Sequence, residues 1–147
     1  MDALEKLKIL AKMETPEDIK EFELLSWKLA QTREPDVLSQ LISLFDDNNP
    51  YQEIMFGLLH IIETYPNEAY VKAVLRSLKT GLISHPEWTD RMVNRIFNEE
   101  DCRNIFHQNL HLADKQTLLQ LFDLMEKESP HHKKLITELR GELTNEP

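Results

Sequence analysis

The stretch DDNNPYQEIMFGLLHIIE, residues 46–63, decides the fold class. Wound at about 100° per residue, Tyr51, Ile54, Met55, Leu58, Leu59, Ile61, Ile62 and Tyr65 fill an apolar arc wide enough to meet neighbours on more than one side. A strand would need strict alternation, which this stretch lacks. The reading is therefore a deeply buried, central helix over residues 50–64. Outside the arc stands a line of Glu53, Gly57, His60 and Thr64, with Phe56 and Glu63 along one edge. A core helix that carries such a stripe turns it toward water or toward a partner.

Outward from this helix, apolar spacings of three and four recur nearly from end to end, and the chain has only three glycines, so the expected class is all-α. Pro16, Pro35, Pro50, Pro66, Pro86 and Pro130 mark helix starts, where the missing amide costs nothing. Thr15 with Asp18, and Asn49 with Gln52, have capping spacing, and Ser129 precedes Pro130. The predicted spans are 2–13, 16–32, 35–45, 50–64, 67–82, 86–97, 99–111, 114–128 and 131–143. Pro16 to Pro50 is a step of 34 residues and Pro50 to Pro86 one of 36, while Val37, Leu38, Leu41 and Ile42 reappear 33 positions on as Tyr70, Val71, Val74 and Leu75. Two arrangements of antiparallel helix pairs fit this pattern: a short HEAT-like solenoid or an irregular bundle. Either is one domain over residues 1–147.

The composition narrows the function. A formal net charge of −9 and a pI near 5.1 oppose non-specific attraction to nucleic acid or to an anionic membrane, and favour a cationic partner. No apolar run approaches the roughly 18 residues that span a bilayer. The lone Cys102 and the charged, amphipathic start MDALEKLKILAK fit a cytoplasmic protein.

Catalytic motifs are missing. Gly57, Gly81 and Gly141 are too scattered to cradle a phosphate, so no cofactor is expected. His107 and His111 share a helix face but have no third ligand at a matching offset, so no metal is expected. Cys102 has no evident base, and His131 and His132 read as exposed residues in a first helical turn. Trp27 is expected to pack on the N-terminal helix and Trp88 to cover the end of the helix before it. The expectation is a protein that is not an enzyme.

Charge points to a surface instead. Between Glu34 and Val71 stand seven carboxylates, Glu34, Asp36, Asp46, Asp47, Glu53, Glu63 and Glu68, with no lysine or arginine among them. Such a run sustains a negative potential that steers basic partners. The candidate partner-binding set is Asp46, Asp47, Glu53, Phe56, Gly57, His60 and Glu63, with Phe56 as apolar anchor and Gly57 permitting close approach. The plainer alternative packs Phe56 on an adjacent helix and uses Gly57 for a tight helix crossing.

Residues 44–106 carry an ordered set of features: the Asp46–Asp47 pair, the run from Glu53 to Leu58, then His60 and Glu63, Tyr65–Pro66, and Pro86 and Trp88 ahead of NRIFN. This segment resembles the immunity protein 30 family, helical proteins encoded beside bacterial polymorphic toxins, including those of contact-dependent growth inhibition. The resemblance implies a cytoplasmic protein that binds the C-terminal domain of one cognate toxin and blocks its active site or substrate path. It carries no binding residues across. Where the toxin is a nuclease with a basic active-site surface, an acidic helical face would take the place of the phosphate backbone. A general helical-repeat adaptor, with no toxin partner, is the competing expectation.

Overall fold

Helix starts follow local chemistry. In the computed structural model, which describes residues 2–145, the Thr15 hydroxyl accepts from the Asp18 amide at 3.1 Å and opens α2 (Pro16–Ala30). Asp2 caps α1 (Ala3–Leu10) and Asp114 caps α8 (Lys115–Glu128) in the same way. Pro35 and Pro86 occupy the first turns of α3 (Pro35–Ile42) and α6 (Pro86–Asn98). The remaining helices are α4 (Gln52–Ile62), α5 (Asn67–Ser84), α7 (Glu100–Gln108) and α9 (Lys133–Thr144), with single 3-10 turns at Leu110–Leu112 and Pro130–His132. The described residues form no strand, as the periodicity predicts.

Two expected caps do other work. Asn49 is buried, and its Oδ1 accepts from the Tyr51 amide at 2.7 Å in a turn that delays α4 to Gln52. The Ser129 hydroxyl donates to the Asp90 carboxylate at 2.8 Å and accepts from Asn94 Nδ2 at 2.7 Å, tying the end of α8 to α6.

The helices stack in two layers. In one, α2 packs on α4 and α6 on α8, while in the other α3 packs on α5 and α5 on α7. Bonds between the layers' successive members hold a nearly constant sequence offset: Arg33 to Thr64, Phe56 to Trp88, Glu63 to Arg95. A constant offset requires α4 and α6 to run parallel, so α5 returns the chain between them. This is the stacking of paired helices expected from the repeat.

One expectation is corrected. The central helix is α5, not α4: α5 touches α3, α6, α7 and α8, and buries Tyr70, Val71, Ala73, Val74, Leu75, Leu78 and Gly81. Helix α4 buries only Met55, Leu58, Leu59 and Ile62, because its other side has no helix over it.

Candidate functional site

The polar line on α4 faces outward. Glu53, Phe56 and His60 are exposed and Gly57 is half-buried, while the row Met55, Leu58, Leu59 and Ile62 turns into the core. Nothing stands within 4 Å of where a Gly57 Cβ would sit, so this glycine does not serve a tight helix crossing.

The edge of α4 toward α6 differs. Asp47, on the loop before α4, accepts from the amides of Glu87 at 3.0 Å and Trp88 at 3.1 Å. These are the first-turn amides of α6 left without a backbone partner, since Pro86 has no N–H and the His85 amide donates to the Gly81 carbonyl, and the helix has no capping side chain of its own. An aspartate 40 residues upstream thus caps α6 and complements its dipole. Glu63 holds Arg95 in a two-pronged pair, accepting from Nε at 2.7 Å and Nη2 at 2.9 Å, with His60 Nδ1 at 3.5 Å. The bond from Glu63 raises the Arg95 guanidinium above its ordinary value.

Phe56 stands at the boundary. Its ring meets Trp88 edge-on at 5.0 Å, and the Arg91 guanidinium lies 4.9 Å from the Phe56 ring and 4.4 Å from the Trp88 ring. Trp88 is buried, stacked on Phe45 at 4.9 Å, and its indole N–H donates to Gln52 Oε1 at 3.0 Å. Phe56 is 38% exposed above this stack. It is an aromatic braced from below by a rigid partner and flanked by a cation, where the charge run had suggested carboxylates alone.

The expected continuous acidic surface is therefore interrupted. Arg95 answers Glu63, Arg91 covers Phe56, and Arg33 donates to the Thr64 hydroxyl at 3.0 Å with its guanidinium 5.0 Å from the Tyr65 ring. Arg33 adopts φ 57°, a left-handed turn after α2 that aims it at α4. Asp46, exposed, makes only a local bond from the Asn48 amide at 2.9 Å, and Glu53 is exposed. Asp46, Glu53, Phe56, Gly57 and His60 stay open to a partner, whereas Asp47 and Glu63 are engaged within the chain.

Neither Arg91 nor the exposure of Leu24 and Trp27 on α2 stood out in the sequence. Trp27 is 47% exposed and Leu24 55%, on the helix that packs against both α1 and α4. Their position off the Phe22, Ser26 and Ala30 row was the available signal. Elsewhere, His107 Nε2 pairs with Glu142 at 2.6 Å, and burial pushes the Cys102 thiol up to about 11, away from a reactive thiolate. Among the described residues no three His, Cys, Asp or Glu side chains gather as a metal-binding group, and no helix is long and apolar enough to cross a membrane.

Comparison with known proteins adds one result. The model of the family immunity protein 30 matches residues 9–106, from the end of α1 into α7, and so takes in α2 and α3 ahead of residue 44, where the sequence resemblance begins. No curated protein and no solved structure matches the chain. The match spans more than half of the 147 residues, and the chain belongs to the immunity protein 30 family, whose role is immunity against a toxin.

Proposed function

We propose that this protein neutralises its toxin without chemistry of its own, by tight binding through the outer face of α4. Phe56 carries the reading: an aromatic held on Trp88 and beside Arg91, half-exposed, next to a glycine with open space over it. Rigid aromatics and arginines dominate binding energy at interfaces, because they desolvate a large area at small entropic cost. Asp46 and Glu53 supply attraction for lysines and arginines of the partner, and Arg91 donates to a carboxylate of the partner. The net charge of −9 favours a basic partner domain, such as the active-site surface of a nuclease, and speeds the encounter. Such a complex forms in the cytoplasm of the producing cell and its kin, where a toxin delivered by contact-dependent growth inhibition or another polymorphic toxin system would act.

The experiment is co-purification with the toxin domain encoded by the neighbouring reading frame, followed by calorimetric titration of variants for affinity and stopped-flow mixing for association rate. The double variant Asp46→Lys, Glu53→Lys is expected to fold normally and bind more slowly and more weakly. Unchanged affinity and rate in that variant, together with unchanged affinity in Phe56→Ala, would remove α4 from the interface.

A further inference from the structure

A second feature lies in the layer away from α4, between α3 and α5. A cleft of about 280 Å³ opens there, with Ser39 from α3 and Arg76, Ser77 and Thr80 from α5 along its walls, and Gly81 and His85 on its floor. No aspartate or glutamate lines it. Arg76 is exposed and forms no ion pair among the described residues.

The floor is unusual. His85 is 3% exposed, and both ring nitrogens lack a hydrogen-bond partner. The buried Thr89 hydroxyl is unpartnered too. Gly81 separates these atoms from the cleft: a Cβ there would lie 2.6 Å from Thr89 Oγ1 and 3.3 Å from His85 Nε2. With only a hydrogen at that position, the Gly81 backbone lies directly against the buried imidazole and hydroxyl where they border the cleft. Buried polar groups in folded proteins are almost always satisfied, and an unpartnered buried imidazole bordering a polar cleft marks a place for a ligand.

We infer that this cleft binds a small oxyanion, a carboxylate or phosphate group carried on a small molecule. The guanidinium of Arg76 gives charge-assisted bonds and the hydroxyls of Ser39, Ser77 and Thr80 give neutral ones. An imidazole N–H at the floor donates in either protonation state. The cleft has room for the anion and a short body attached to it. This site is separate from the toxin-binding face and is tested without the toxin.

The test is titration of the full chain with inorganic phosphate and, separately, with acetate, at constant ionic strength, followed by backbone amide shifts and by the ring nitrogens of His85. Saturable shifts confined to residues 39–43 and 76–85, with movement of the His85 ring, are expected for at least one anion; which one saturates assigns the group as tetrahedral or planar. Arg76→Ala should weaken that binding about tenfold, the loss of one charge-assisted contact. Lys79→Ala removes the same charge from the same helix outside the cleft and should leave it unchanged. Shifts that fail to saturate, a His85 ring that does not move, or equal losses in both variants would reduce the effect to diffuse attraction and overturn the site.

Discussion

The two long sides of α4 carry similar residues and have opposite fates. Along the side toward α6, Gln52 and Glu63 are each answered by a named group, the Trp88 indole and the Arg95 guanidinium, and Asp47 just ahead of the helix by the first amides of α6. Along the outer side, Glu53, Gly57 and His60 meet little of the chain beyond the long His60–Glu63 contact. Phe56 belongs to both, its edge on Trp88 and its remainder free. Polar residues on a stacked helix thus divide into those that hold the stack and those left for something else. The division follows from where the next parallel helix lies, about one repeat later in the chain.

That division is most open to attack at Trp88. Its ring is buried between Phe45 and Phe56, so Trp88→Ala removes the support of both sides at once and is expected to cost about 3–5 kcal/mol of stability. Urea unfolding measures it. A cost below about 1 kcal/mol would show that the stack does not brace Phe56, and with it the rigidity invoked for binding. Phe56→Ala should show the reverse balance. Half-exposed, it contributes about 1 kcal/mol to folding through its edge contact, yet about 2 kcal/mol or more to toxin affinity, near thirtyfold in Kd. Calorimetry on the purified complex, beside the unfolding curve of the free protein, separates the two numbers.

Next in size is the pair Asp46 and Asp47, adjacent in sequence and opposite in role. Asp47→Ala uncaps α6 and is expected to cost about 1–2 kcal/mol of stability, with toxin affinity unchanged once the protein is folded. Asp46→Ala loses one local bond and should stay within about 0.5 kcal/mol in stability while weakening or slowing the complex. Should Asp47 govern binding and Asp46 stability, the partition of α4 into two sides fails.

These residues also show what a sequence displays and what it hides. The start of α2 at Thr15–Pro16 and the outward line Glu53, Gly57, His60 were legible because they depend on neighbours within one or two turns. The absence of a cation between Glu34 and Val71 was equally visible, but its meaning was not. Arg91 and Arg95 arrive from the next repeat, and Arg33 from just before the run. Capping of α6 by Asp47 is hidden for the same reason, since a cap is recognised by spacing and this one comes from another repeat. The centrality of α5 escaped because periodicity reports how wide an apolar face is, not how many helices will meet it.

Gly57 gives the smallest effect and the sharpest test. A glycine inside a helix costs about 0.5–1 kcal/mol relative to alanine, and a Cβ at this position meets nothing. Gly57→Ala should therefore raise the thermal midpoint of the free protein. The proposed interface gives this glycine a use: a partner approaching the backbone of α4 at the open space over Gly57. On that reading the same methyl weakens the toxin complex. Stabilisation with weaker binding places the partner directly over Gly57, between Glu53 and His60. Stabilisation with unchanged binding would move the contact off the middle of α4, toward Phe56 and Arg91 on the flank facing α6. Destabilisation would contradict the open space itself.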